Sequence, residues 1–520
     1  MLHIGFLSDD YFYHAFFKYS FGDFIRNLAM IRAGLADFPF FRPIAILSFN
    51  IDYLVWGDNP VGFHLTNIAL HSLNCLLVYF LLLKLDIGRI IAVASSLVFA
   101  LFPTHSEAVA WISGRFDLLA TTWILVSLIL WTYGRLNDKD RFMAISAAAF
   151  FVALLSKEVA AAGFLLFPLM DLLLTIETKR ERGQGIGFAW PWYVIFAAVI
   201  AVVVGFRFWL YGDIGGYLNA HNGINYAINN FQLIFNNLVN NDLAILFTPI
   251  SRIVWAGWPL GLKILYILTG IASAILMIGG LIYSIRYARD WYDPHLVCIL
   301  TGLVWIIALL LPVIPVEGVK FNLDYSRFLY LPAIGLAIWI GTSFEALVIS
   351  RRRLFVPVLT VFLLILALSG IALAQQNKNW IEAGKIAGKI NDVMVENTAE
   401  LTDGSTIFLV NYPWLWKGAH CAPLNYEGYI EFLFGIKKVS TQITKVEPDN
   451  IPAWWAEIRD KWNTEGVGFV WDSENEEITV LPPIDLKPTL PAIILPSIGE
   501  NASPVSNPGE VDVLPENLNQ

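Results

Sequence analysis

The chain has 520 residues, 57% of them apolar and 15% charged, and a mean hydropathy of +0.59. A soluble domain carries about a quarter charged residues, so this composition excludes a soluble enzyme and defines a polytopic membrane protein. A net charge of −9 excludes nucleic acid as a partner, and the 3 cysteines, Cys75, Cys298 and Cys421, lie too far apart for a disulfide framework or a Cys-based zinc site.

The first predicted element is an external loop over residues 1–60, which carries adjacent acids, Asp9 and Asp10, within GFLSDDYFYH. MLHIGFL is too brief for a signal peptide or anchor, so either a preceding helix is missing, which would put the N-terminus in the cytoplasm, or translocation uses the first visible span; the missing helix is the expectation. A bilayer crossing needs about 20 apolar residues. Candidate spans follow at 61–83, 90–104, 117–134, 142–156, 159–176, 190–210, 261–285, 295–315, 329–349 and 354–374. Basic clusters follow every second span: Lys84 with Arg89, then Arg135 with Lys139 and Arg141, KRER at 179–182, Arg286 with Arg289, and RRR at 351–353. These loops face the cytoplasm by the positive-inside rule. Keeping that order requires the Asn-rich stretch near 226–250 to belong to an external loop over 211–260 rather than to a span.

Beyond the transmembrane part, 61–374, strands are expected at 405–410 and 467–471 and helices at 424–436 and 452–463. They define a small extracytoplasmic α/β domain over 375–483, and the Pro- and Asn-rich stretch 484–520 reads as a disordered tail. The fold class is therefore an all-α polytopic membrane protein of about ten visible transmembrane helices with that small C-terminal domain.

Charges on the external side are informative because ionised groups near hydrocarbon face a cavity or each other. They are Arg42 in FFRPIAILSFN; His105, Glu107, Arg115 and Asp117 in PTHSEAVAWISGRFDLLA; Lys157 and Glu158 in SKE; Arg207; and Lys320, Tyr325 and Arg327 around VKFNLDYSRFLYLP. The plain structural reading pairs Arg115 with Asp117 and Lys157 with Glu158, lets Arg42 and Arg207 reach lipid headgroups, and makes His105 a loop cap. Taken together, the polar groups crowd one face while most spans have clean interiors. That distribution suits chemistry at an interface: a carboxylate to take a proton, cations to hold an anionic headgroup, apolar helices for its tail.

The early Asp-Asp, FRP at 41–43 and GFHLTNIALHSLNCLLVY at 62–79 resemble the GT-C superfamily of integral-membrane glycosyltransferases. PTHSEAVAWISGRFDLLA at 103–120, SKE at 156–158 and YSRFLYLPAIG at 325–335 resemble the tetratricopeptide-linked protein O-mannosyltransferases and their bacterial relatives. The resemblance implies sugar transfer from a polyprenyl- or dolichyl-phosphate carrier to an acceptor hydroxyl on a protein, lipid or glycan. The expected setting is the extracytoplasmic face of a multi-pass cell membrane, of bacterial plasma-membrane type, without cofactor or metal. It also implies a carboxylate of the first external loop as general base, Asp9 in preference to Asp10, with Asp10 orienting the acceptor. Arg327, Arg115 and Lys157 are the expected holders of the carrier phosphate. Glu107 and His105 organise the pocket, and Glu158, Asp117, Arg42 and Tyr325 complete the substrate-binding set. The chain departs from those relatives in having no repeat of about 34 residues after the membrane part. The competing readings are a transporter or flippase for lipid-linked sugars and an inactive assembly protein of the same fold.

Overall fold

The computed structural model describes residues 2–11, 40–211, 231–287, 293–311, 319–350, 352–398, 401–421, 440–462 and 465–484. The helix expected over 424–436 and nearly all of the tail 484–520 lie outside the described residues. The protein is mostly helical. Among the described residues, six helices are long and apolar enough to cross a membrane: Pro60–Lys84, Ile112–Asn137, Glu158–Lys179, Trp190–Leu210, Leu260–Arg286 and part of Phe355–Thr398. Four further apolar helices among the described residues are shorter: Pro43–Trp56, Arg89–Ala100, Pro294–Leu310 and Ala333–Ile349.

Local chemistry starts and stops these helices. Pro60 stands at the first turn of Pro60–Lys84, and the Asn59 side chain accepts from the Val61 N–H, capping a donor that the helix cannot satisfy. Asp138 in the left-handed conformation (φ 51°) reverses the chain between Arg115–Asn137 and Asp140–Ser156. These two helices pack through small residues, with the Ser127 and Ser146 hydroxyls 2.9 Å apart. Helices Pro294–Leu310 and Ala333–Ser350 approach closely at Gly302 and Gly335, where a Cβ on either residue would strike the other's carbonyl oxygen. On the helix Leu260–Tyr287, Ile264, Leu268, Ile271, Ile275, Ile278, Ile282 and Ile285 are exposed at three- and four-residue spacing, the stripe that meets lipid.

Two elements differ from the sequence reading. Within 1–60, Pro43–Trp56 is helical; at 14 residues it is too short for a span-length filter to find. The helix of the last expected span does not stop with it at 374: one helix of 44 residues runs from Phe355 to Thr398. Its second half changes partner rather than conformation. Trp380, Ala383, Ile386, Ala387, Ile390 and Met394 are buried in a second core with Ile4, Phe6 and Leu7, with Trp111 and Ile112, and with the strands that follow.

Those strands are β1 (Thr406–Val410), β2 (Leu415–Trp416), β3 (Ala419–His420), β4 (Ser440–Thr444), β5 (Gly466–Asp472) and β6 (Glu477–Ile484). One sheet has the order β4-β1-β5-β6, with β4 and β5 parallel to β1 and β6 antiparallel to β5. Every residue of the inner strand β1 is buried, as expected of a strand covered on both faces. The helix Ile451–Lys461 supplies Trp455 against Phe408 and Ile484. Strands β2 and β3 form a separate antiparallel hairpin.

Candidate active site

The amino-terminal segment is stitched into place before it reaches its acids. The Ile4 carbonyl lies 2.9 Å from His64 Nε2, and the Trp111 indole N–H donates to the Leu7 carbonyl at 3.2 Å. Ser8 then turns the chain with a positive φ of 50°. Asp10 points inward. One carboxylate oxygen accepts from the Leu7 N–H at 2.9 Å; the other accepts from the Ser113 N–H at 2.8 Å and from its hydroxyl at 2.5 Å. Burial pushes the Asp10 carboxyl up to about 7, against the lowering effect of the Ser113 and Leu7 bonds.

Asp9 differs. Its side chain is half-buried, and no hydrogen bond to its carboxylate occurs among the described residues. Burial raises its carboxyl above the ordinary range, while the charges of His420, Arg327 and Arg42 reach it and pull it down. Of two adjacent acids, one is fixed as an anchor and the other is left available.

Glu107 is the hub of the neighbouring cluster. It lies on the short helix His105–Ala110, fully buried, with both oxygens engaged. One accepts from the Arg327 backbone N–H at 2.8 Å and the Ser326 hydroxyl at 3.3 Å; the other meets the Arg327 guanidinium and, at 3.3 Å, His420 Nε2. Burial acts to raise the Glu107 carboxyl, but the cationic Arg327 and the His420 bond outweigh it and hold it at about 2. Arg327 sits 5.0–5.1 Å from the rings of Trp111, Tyr325 and Phe328. The loop that carries it is strained: Leu323 and Tyr325 have φ of 71° and 66°, left-handed values that are uncommon outside glycine. Asp324 lies between them, buried, 3.3 Å from the Lys320 ammonium and 3.7 Å from His420 Nε2.

The remaining expected residues form ion pairs that sequence adjacency did not suggest. Arg42 pairs with Glu158 through two contacts, Nε to Oε2 at 3.0 Å and Nη2 to Oε1 at 2.6 Å, with Arg207 3.6 Å from the same carboxylate. The Lys157 ammonium donates to both oxygens of Asp117 at 2.6 and 2.7 Å. Arg115 is fully buried and pairs with Asp52 at 2.6 Å; it also donates to Asn67 and to the Phe63 carbonyl, each at 2.8 Å. Its guanidinium is thus engaged on three sides, by Asp52, Asn67 and the Phe63 carbonyl. The plain pairings Arg115–Asp117 and Lys157–Glu158 do not form. His105 stays apart from the polar cluster. Its ring is packed 4.5–5.4 Å from Tyr330, Phe99 and His71, and neither ring nitrogen has a hydrogen-bond partner among the described residues.

Three contributors were missed. Asp324 stood in the quoted stretch NLDYSR beside two chosen residues. Asp52 was hidden in a segment read as loop. His420, within KGAHC, had no signal beyond a Lys-Gly turn, because the hairpin's docking brings it in. One donor atom from each of Glu107, Asp324 and His420 lies within 4.8 Å of the others, the only described trio that could close on a cation. Glu107 already receives four hydrogen-bond contacts and the Arg327 charge, whereas Asp324 Oδ1 has no hydrogen-bond partner among the described residues.

No protein-family model matches the chain. Among curated proteins it is similar to protein O-mannosyl-transferases, the resemblance read from its motifs. Human TMTC3 is 24% identical over 449 residues, 79% of this chain and 45% of its own length. Tmtc1 of Drosophila melanogaster is 35% identical over 140 residues, 27% of this chain and 16% of its own. The matched part thus spans less than half the length of these relatives. Among solved structures, ArnT from Cupriavidus metallidurans bound to undecaprenyl phosphate aligns over 91% of this chain and 90% of its own, at 11% identity and a TM-score of 0.42. The apo oligosaccharyltransferase of Archaeoglobus fulgidus aligns over 89% and 66%, at 13% identity and a TM-score of 0.41.

Proposed function

We propose that this chain is a GT-C-type glycosyltransferase that moves a sugar from a polyprenyl- or dolichyl-phosphate carrier to an acceptor hydroxyl on the extracytoplasmic side. Asp9 is the general base and Arg327 the holder of the carrier phosphate. The observation that carries this reading is the unbonded Asp9 carboxylate within reach of the charge of Arg327, whose guanidinium Glu107 holds. The similarity to curated protein O-mannosyl-transferases supports the class and makes mannose on a protein the first sugar and acceptor to test.

The acceptor oxygen attacks the anomeric carbon as its proton passes to Asp9; the bond from that carbon to the carrier phosphate breaks, and its electron pair leaves on the phosphate oxygen. A single displacement of this kind inverts the anomeric centre. Burial, which lifts the Asp9 carboxyl, makes it a stronger base than an exposed aspartate. A guanidinium answers the charge that grows on the leaving phosphate. A largely apolar cavity of about 270 Å³, lined by residues including Phe102, Phe247, Met277, Leu336, Ile340 and Leu368, suits part of a lipid carrier. The basic cytoplasmic loops read from the sequence support an extracytoplasmic site.

The test is mass spectrometry of envelope glycoconjugates from a deletion strain complemented with wild type, Asp9→Asn or Asp10→Asn at matched membrane levels. A glycan lost on deletion, restored by wild type and not by Asp9→Asn is expected. Full restoration by both variants would remove the proposed base.

A further inference from the structure

We propose that His420, delivered by the hairpin Leu415–His420, is a positioning residue of the active site that holds Glu107, and through it Arg327, in the geometry transfer requires. This rests on the reading of Arg327 as the phosphate holder. The hairpin is clamped on both sides. Toward the loop before Arg327, Gly418 has φ +83° and lies so close to the Asn322 carbonyl that a Cβ would strike it. Toward the long helix Phe355–Thr398, Asn379 Nδ2 donates to the Lys417 carbonyl at 3.2 Å, the Lys417 ammonium lies 2.8 Å from Glu382, and the Cys421 thiol reaches the Ala383 carbonyl at 3.5 Å. The hairpin therefore has little freedom, and neither has the side chain at its end.

His420 is 7% exposed and stacks on Trp111, centroids 4.3 Å apart and planes inclined by 22°. That stack aims Nε2 at two buried acids, 3.3 Å from Glu107 Oε1 and 3.7 Å from Asp324 Oδ1. With its proton on Nε2, the imidazole donates to Glu107. Asp324 Oδ1 has no hydrogen-bond partner among the described residues and faces the same ring. Glu107 shares the oxygen that meets His420 with the Arg327 guanidinium. Without the imidazole that oxygen loses one of its two donors, and the guanidinium can follow the carboxylate out of place. The C-terminal part thereby supplies a wall of the reaction chamber, and the charge of His420 also lowers the Asp9 carboxyl.

Two substitutions separate positioning from packing. His420→Phe keeps an aromatic ring on Trp111 and removes the donor; His420→Gln keeps an N–H donor and removes the ring. In detergent-solubilised full chain, dissociation of polyprenyl phosphate is followed by tryptophan fluorescence, alongside kcat, donor KM and the thermal midpoint. His420→Phe is expected to weaken polyprenyl-phosphate binding and to lower kcat/KM, each about tenfold, the size of one charge-assisted bond. Its midpoint stays near wild type, and His420→Gln recovers most of both losses. Asp324→Asn, which leaves Trp111 untouched, is expected to weaken binding in the same direction. Binding unchanged in His420→Phe, or Phe and Gln variants falling equally with their thermal midpoints, would overturn the proposal. Asp9→Asn tells this apart from failure of the transferase reading. It should abolish transfer and leave lipid-phosphate binding intact, so a binding loss confined to His420→Phe keeps the positioning role even if Asp9 proves dispensable.

Discussion

Arg42 and Glu158, 116 positions apart in sequence, meet in a two-point ion pair that ties the start of Pro43–Trp56 to the turn after Asp140–Ser156. Arg42 is buried, and Glu158 retains part of its exposure. Removing Arg42 leaves Glu158 with Arg207 at 3.6 Å, and removing Glu158 takes a two-point acceptor from a buried guanidinium; removing both creates neither mismatch. Arg42→Met or Glu158→Met alone should destabilise the protein by about 3 kcal/mol, and the double variant should cost less than the two singles summed. Thermal unfolding in detergent, run as a double-mutant cycle, measures this directly; strict additivity would reject the coupling.

The two early acids should fail in different ways. Asp9→Asn is expected to lower kcat by about a hundredfold or more with the thermal midpoint unchanged, because a proton acceptor is lost and no described bond is broken. Asp10→Ala is expected to lower the midpoint, since it strands the Leu7 and Ser113 donors. Equal midpoints for the two variants would contradict this division.

Stability and rate should also respond to pH in opposite senses. A folded Asp10 titrating at about 7 binds more protons than its unfolded counterpart, which titrates near 4, so stability falls as pH rises between about 4 and 7. Glu107, held at about 2, does the reverse at lower pH: its contribution is complete above the unfolded value of about 4.3 and is lost as pH drops toward 2. Asp10→Asn should flatten the slope of thermal midpoint against pH on the acid side of neutrality, and an unaltered slope would refute the assignment. For the rate, kcat/KM should rise with pH through the elevated Asp9 ionisation, and Arg42→Met should shift that limb upward by removing a charge that lowers it.

Arg115 is a stability residue on this geometry. Arg115→Met leaves Asp52 buried without its cation, and Arg115→Lys cannot span Asp52, Asn67 and the Phe63 carbonyl together. Both should reduce membrane yield and thermal midpoint, with a loss of about 3 kcal/mol or more for Arg115→Met. Normal yield and midpoint with weakened carrier binding would reverse this view.

The elements were legible in the sequence where one constraint dominates. Apolar runs bounded by Lys and Arg mark helices such as Pro60–Lys84 and Leu260–Tyr287, because lipid leaves few alternatives. The charged segments were legible too, since each cation stands out against an apolar background. Their partners were not. Arg115 and Asp117 are two apart at the start of one helix and point to different sides, so Arg115 meets Asp52 and Asp117 meets Lys157 from the turn after Asp140–Ser156. Pairing across 40 or more positions is a property of packing, and a single chain does not display it. His420 lay furthest from view because its role arises only when the hairpin docks.

The long helix Phe355–Thr398 has a mechanical consequence. At about 1.5 Å per residue its 44 residues measure about 66 Å, roughly twice the hydrocarbon thickness of a bilayer. With no break along it, tilting its lipid-embedded half swings the other half, and the sheet rides on that lever. Changes in bilayer thickness, which tilt such rods, would thus be felt at the far end as a change in how firmly the hairpin Leu415–His420 is seated.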